Sequence, residues 1–477
     1  NGNSNSNNGS NGPGLGEFPH DGDAQSDYGD GGGGGGGVLV TMTPPPTPWT
    51  VPAFQPTPAS SSSVCTAPIR QLPDANVQSD DELGTSVAID RSGRIVVSGA
   101  PHADNLGSNT GVGGLDTGAA FVYNTLTTSS SNPGDGGDLD LSSSDNAQEV
   151  TKLVASDANR GMEFGTSVAI SGNGEVIVVG APNADVGFTD AVGAVYVFRR
   201  DGPGGAWQEE ARLVPSAPIS RMQFGRSVGV NDDGSTVVVG APGGRRITKG
   251  SVIVFSYQST AGFWTYAATI HAGTDQDLFG TDQDMFGSSV DIANDIVVVG
   301  APLAGSSMQG MAYIYSLNVE GGEWERMTQF TGSGERDELG FAVSVDEAAS
   351  RIAIGAPFYD SQFGYDSGGV YTYTKNDDGA WEQEVQVTLT GQLTERYRFG
   401  SSVNLVGTRL IAGAPGNFAA YVFTLEAGSW KETQRIEARD ASFGTSVATS
   451  EQKVMAAGDP TQNQNAGSVY VSNDCYV

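Results

Sequence analysis

The stretch FGTSVAISGNGEVIVVGAP, residues 164–182, decides the fold. It contains two short apolar runs, SVAI and VIVVG, separated by the turn sequence SGNG and bracketed by Phe164-Gly165 and Gly180-Ala181-Pro182. Runs this short and rich in β-branched residues read as strands, and the Gly/Asn cluster between them as a tight turn. VIVVG is apolar without alternation, as a strand covered on both faces has to be. The proline offers no N–H and ends the second strand, while the glycine after the phenylalanine suits close backbone approach.

Outward from this stretch the same unit recurs seven times. Its first anchor is Leu83-Gly84, Phe164-Gly165, Phe224-Gly225, Phe286-Gly287, Leu339-Gly340, Phe399-Gly400 and Phe443-Gly444. Thirteen to fifteen residues after each glycine comes Gly-Ala-Pro, ending at Pro101, Pro182, Pro242, Pro302, Pro357 and Pro415, or Gly-Asp-Pro, ending at Pro460. After a variable loop a third strand follows: GAAFVY, GAVYVF, GSVIVF, GMAYIY, GGVYTY, FAAYVF and GSVYVS. Five repeats then supply Trp207, Trp264, Trp324, Trp381 or Trp430, each six residues before Leu213, Ile270, Phe330, Val387 or Ile436. That even spacing predicts both residues on one face of a fourth strand.

Four short strands repeated seven times predict an all-β chain: a seven-bladed β-propeller whose blades start near 83, 164, 224, 286, 339, 399 and 443. The paired anchors resemble the FG-GAP repeat family, the propeller module of integrin α subunits and of many surface proteins. The resemblance covers residues 65–477.

The seventh repeat ends without a fourth strand, and the first has one to spare at Ile69 to Leu72. Alignment sets Leu72 with Leu213 and Tyr470 with Tyr196, so residues 69–72 are expected to complete the last blade and close the ring. In that register the two cysteines, Cys65 and Cys475, fall at the two ends of one hairpin position. The expectation is a Cys65–Cys475 disulfide and an oxidising compartment, the alternative being two unrelated thiols.

Residues 1–64 carry no apolar periodicity: an Asn/Ser/Gly tract, acidic Asp21, Asp23, Asp27 and Asp30, seven consecutive glycines, then a Pro/Thr/Ser-rich run. They read as a disordered arm and stalk open to O-glycosylation. Asn8-Gly9-Ser10 is an N-glycosylation match. The chain begins at Asn1 without a basic-then-apolar leader, which fits a mature product or a fragment.

Composition narrows the function. With 68 Gly, 22 Pro and 17% charged residues the chain is rich in turns, and a formal net charge of -31 repels nucleic acid and anionic membrane. No apolar run approaches the ~20 residues of a membrane span.

Strand alternation brings the loops between second and third strands and those between consecutive blades to one face, here the upper face. The resemblance implies that this face contacts ligand, and rigidly held loops are where binding concentrates. Its acids include Asp104, Asp116, Asp185, Asp190, Asp360 and Asp366, with a denser set at Asp275, Asp277, Asp282 and Asp284 in the internal duplication DQDLFGTDQDMFG. Related propellers often carry an Asp-x-Asp-x-Asp-Gly calcium loop between the anchors. The corresponding turns here, DRSG, SGNG, NDDG, AND, DEAAS, VGT and SEQK, lack three spaced carboxylates. No cofactor is expected, and calcium only as weak binding at the upper-face acids.

Catalytic motifs reduce to repeat anchors. Gly225-Arg226-Ser227-Val228-Gly229 matches a Gly-x-Ser-x-Gly nucleophile elbow, which needs a following helix. Serines recur at the same place, Ser86, Ser167, Ser289, Ser402 and Ser446, so the position reads as structural. His20, His102 and His271 stand at no metal-ligand spacing. The tryptophans read as packing in the outer strand. The expected function is a non-catalytic extracellular or cell-surface adhesion module for a protein or glycan. The alternatives are a self-associating building block of a matrix, wall or filament, and a propeller fragment of a larger surface protein or a phospholipase D-like enzyme.

Overall fold

The computed structural model describes residues 65–66, 69–73, 77–104, 114–125, 148–243, 250–272, 284–318, 321–362, 364–389, 396–438 and 442–473. The chain divides into two compact units, Asn1–Pro52 and Ala53–Val477, and all described residues belong to the second. Residues 1–64 with Asn8, the Asn124 to Ala147 excursion beyond Thr125, Asp275, Asp277, Asp282 and Cys475 lie outside them.

Seven four-stranded antiparallel blades form the unit. Blade 2 is representative: Ser167–Ile170, Val176–Ala181, Ala194–Arg199 and Gln208–Leu213, hydrogen-bonded in that order. The first strands of the blades, Ser86–Ile89, Ser167–Ile170, Ser227–Val230, Ser289–Ala293, Ala342–Val345, Ser402–Val406 and Ser446–Thr449, stand side by side in a ring in which the seventh adjoins the first. The second strands are buried along their lengths because a blade covers each of their faces. Each ends at the residue before the anchor proline, as the missing N–H requires.

Residues 69–72 close the ring. Arg70 and Gln71 pair with Val471 and Tyr470, and the Leu72 N–H reaches Val469 O at 2.8 Å. This is the pairing that Arg212 and Leu213 make with Tyr196 and Val195 in blade 2. Cys65–Thr66 forms a separate two-residue strand that runs parallel to the fourth strand of blade 6, opposite Gln434 and Arg435. The backbone of Cys65 therefore sits on the edge of blade 6 before the chain crosses to blade 7.

Seven apolar clusters fill the seven blade junctions, so the core is a ring of interfaces. Every anchor aromatic or leucine lies fully inside one of them, Phe164, Phe224, Phe286, Phe399 and Phe443 among the largest buried side chains. Edge-on ring contacts orient them, such as Phe286 with Tyr313 at 5.3 Å between centroids.

The expectation that each tryptophan shares a strand face with the apolar residue six positions on is overturned. A β-bulge interrupts the pairing of third and fourth strands, between Val254 and Phe255 in blade 3 for example, and one inserted residue reverses the alternation. Trp264 therefore packs toward blade 2 while Ile270 packs toward blade 4. Trp381 and Val387 divide in the same way between the junctions of blade 5 with blades 4 and 6. The bulge makes one short strand supply both junctions of its blade.

Candidate interaction face

The serine shared by six blades joins one blade to the next. Ser86 Oγ donates to Gly165 O at 2.9 Å, Ser167 to Gly225 O at 2.8 Å, and Ser227 to Gly287 O at 2.8 Å. Ser289, Ser402 and Ser446 repeat the bond to Gly340, Gly444 and Gly84, so the last also ties blade 7 to blade 1. The acceptor is always the glycine of the next hub anchor. Among the described residues these hydroxyls have main-chain carbonyls as their partners. Blade 5 carries Ala342 at this position and lacks the bond. Ser227→Ala is expected to cost about 1 kcal/mol and Ala342→Ser to gain a similar amount by donating to Gly400 O. Chemical denaturation checks both signs, and equal stability of Ala342→Ser and the parent would remove the staple from the account.

Above the hub the upper face is a second ring of backbone bonds. The loop entering each blade donates to the second-to-third-strand loop of the blade before it: Glu82 N to Asn465 O, Glu163 N to Asp116 O, Glu338 N to Met308 O and Arg398 N to Asp366 O. In five of the seams two to five described residues take the left-handed conformation without being glycine, including Glu163, Arg221, Arg336, Glu338, Arg396 and Arg398. Such backbone costs energy at every residue and persists because two blades hold it. Of these, Arg221, Arg336, Arg396 and Arg398 expose their side chains on a rigid frame.

The candidate acids serve largely as loop closures. Asp104 accepts the Asp116 N–H at 3.0 Å, Asp185 that of Ala191 at 2.8 Å, and Asp360 that of Asp366 at 2.8 Å. Asp190 contributes its main-chain carbonyl to Arg221. Asp284 is buried beside Tyr313, whose hydroxyl titration burial and that carboxylate both raise. Among the described residues no group of three or more His, Cys, Asp or Glu is placed to hold a metal. His102 lies between two carboxylates, 3.6 Å from Glu82 and 3.4 Å from Asp116. Burial raises the Glu82 pKa, and His102 opposes that rise.

A central channel of about 270 Å³ runs inside the ring of first strands. The third residue of each first strand lines it: Ala88, Ala169, Gly229, Asp291, Ser344, Asn404 and Ala448. One side of the wall is thus apolar and the other polar. The polar residues tie consecutive first strands together: Val345 N to Asp291 Oδ2 at 2.9 Å, Leu405 N to Ser344 Oγ at 3.1 Å and Thr449 N to Asn404 Oδ1 at 2.8 Å. At the lower mouth Arg91 bridges Asp232 and Glu451 at 2.7 and 3.1 Å.

Burial pushes the Asp291 carboxyl from 3.8 up to about 6, although bonds from Val345, Ile292 and Ser344 favour its charged form. A folded-state value above the unfolded one means the contribution to stability is fullest below pH 4 and is lost as pH rises through 6. Ionised, the group costs at most about 3 kcal/mol. The parent should therefore lose stability from pH 5 to 7, with a smaller slope in Asp291→Asn; unfolding curves with equal slopes would contradict the assignment.

Sequence reading found the acids and missed the arginines. Arg221, Arg336 and Arg396 occupy one equivalent position, three residues before the hub anchor, and only the alignment of the entering loops reveals it. Large apolar side chains are exposed on the loops between second and third strands, Phe188 fully and Tyr365 at 69%.

The FG-GAP repeat model matches residues 147–198, 207–255 and 264–315. No curated protein matches the chain. Each matched segment starts in the fourth strand of one blade and ends in the third strand of the next. A chain of such repeats starts with a fourth strand and ends with a third, which is what residues 69–72 and Ser468–Ser472 supply. Its seven blades closed by that offset, the chain is a seven-bladed β-propeller, and residues 147–315 of it are similar to three successive FG-GAP repeats.

Proposed function

We propose that the chain is a non-catalytic recognition module, extracellular or cell-surface, that binds a protein or glycan through its upper face. The observation that carries this reading is the contrast between the constant hub and the variable loops above it: serine and glycine repeat from blade to blade, whereas the loops between second and third strands differ in length and chemistry, from 101–118 in blade 1 to 302–310 in blade 4 and 415–418 in blade 6. The FG-GAP match supports a binding or adhesion class. No described helix is long and apolar enough to cross a membrane.

The test separates the two faces. A ligand retained by the full chain from a glycan array or from cell-surface protein should be lost when Leu115, Ile219 and Tyr365 are changed to Ser. It should be kept when Asp233, Asp378 and Gln452 on the lower turns are changed instead. The opposite pattern would refute the upper-face reading.

An oxidising compartment is part of the proposal, through a Cys65–Cys475 disulfide. Peptide mapping of the unreduced protein should find the two cysteines in one linked pair, and its loss on Cys65→Ser should cost several kcal/mol, on the order of 5 by chain entropy. Two free thiols would remove this support for secretion.

A further inference from the structure

On the upper face the junction of blades 5 and 6 differs in chemistry from the others. The blade 6 entering loop lies between the loops of both blades, with Arg396 N on Tyr365 O at 2.9 Å, Arg398 N on Asp366 O at 3.0 Å and Gly416 N on Tyr397 O at 3.2 Å. This ladder fixes Arg396 and Arg398 in left-handed backbone and leaves both side chains exposed. The Arg398 guanidinium sits 5.3 Å from the Phe358 ring centroid, and Phe358 meets Phe341 edge-on at 6.4 Å. Tyr365, Phe341 and Phe418 are exposed at 69%, 41% and 41%. Among the described residues neither Arg396 nor Arg398 has an ion-pair partner. Of the two acids in the blade 5 loop, Asp366 receives the Arg398 N–H on its main-chain carbonyl, and Asp360 has Oδ1 engaged by the Asp366 N–H.

A guanidinium laid on an aromatic ring keeps its planar edge free for two parallel bonds to a carboxylate. Exposed aromatics beside it offer area that an apolar side chain would cover. Overall charge then decides between anionic partners. At -31 the chain repels a long polyanion, whose binding draws on the summed field. A segment with one or two carboxylates is recognised within a Debye length, about 10 Å at 0.1 M salt, where the local guanidiniums dominate.

We propose that the seam of blades 5 and 6 takes an acidic peptide segment of a partner protein, a carboxylate seated on Arg396 and Arg398 and an adjoining apolar side chain against Phe341 and Tyr365. The proposal rests on the upper face being the binding face.

The probe is a displayed library of random dodecapeptides selected on the full chain, with dextran sulfate as the polyanion comparison. Selected peptides should pair Asp or Glu with a neighbouring aromatic or aliphatic residue. They should bind at least tenfold more weakly to Arg398→Gln and to Tyr365→Ala, and unchanged to Phe188→Ala in blade 2. Melting of each variant checks that these exposed substitutions leave the fold intact. No enrichment, or enrichment indifferent to both variants, overturns the proposal. If binding is lost with Phe188→Ala instead, the seam is wrong and the upper-face reading stands; if it is lost only with Asp233→Ser on the lower turns, both fail. Dextran sulfate binding this seam more tightly than every peptide would assign it to an anionic glycan and overturn the peptide.

Discussion

Gly180→Ala should destabilise the protein by about 3 kcal/mol or more, for a substitution that adds one methyl group to a good strand position. The added carbon would overlap the carbonyl oxygen of Gly225 in the next blade and the Ser167 hydroxyl in its own. The first is backbone, held by its bond from Ser167, and cannot swing aside as a side chain can. Gly165→Ala meets two penalties at once, because its φ is +100° and its Cβ would strike Ala119 O. Gly187→Ala separates crowding from conformation: it too has positive φ, +63°, but nothing lies within 4 Å of the added carbon. It should cost about 1 kcal/mol, the conformational penalty alone. Chemical denaturation of the three variants tests the ordering, and a Gly180→Ala cost no larger than that of Gly187→Ala would mean that the hub is not closely packed.

The anchor glycines explain why the fold was legible from residues 164–182. At each junction two glycines from neighbouring blades approach so closely that no other residue fits, and at six of the seven a serine beside them bonds across the gap. Physical necessity repeated seven times leaves a repeated sequence. The closing strand was legible by the same route, since the alignment of Leu72 with Leu213 is the pairing observed.

The tryptophan faces were misread because a β-bulge leaves no residue of its own in the sequence. Trp264 and Ile270 keep an even spacing while the inserted residue turns one of them over. The cross-blade ladder above the hub was hidden for a related reason: left-handed backbone at Arg396, Arg398 or Glu338 is imposed by two blades meeting, and these residue types do not announce it. The acids drew attention by their number, yet Asp104, Asp185 and Asp360 spend their carboxylates on loop amides. The channel was likewise invisible until the ring placed Asp291, Ser344 and Asn404 on consecutive blades.

Ring closure by residues 69–72 underlies every statement about a defined upper face. Leu72 is 1% exposed within the junction of blades 7 and 1, and its burial alone is worth about 1.5–3 kcal/mol. Its strand also covers Ser468–Ser472, whose residues are all buried. Without it the edge of Val469, Tyr470 and Val471 would face water, an open template for pairing with another chain.

The decisive measurement is unfolding and light scattering of two truncated chains, one beginning at Ile69 and one at Pro73. The account predicts that the first remains monomeric and cooperatively folded, while the second loses several kcal/mol and associates through its exposed edge. Equal stability and equal mass for the two would show that four residues at one end of the propeller do not seal its last blade.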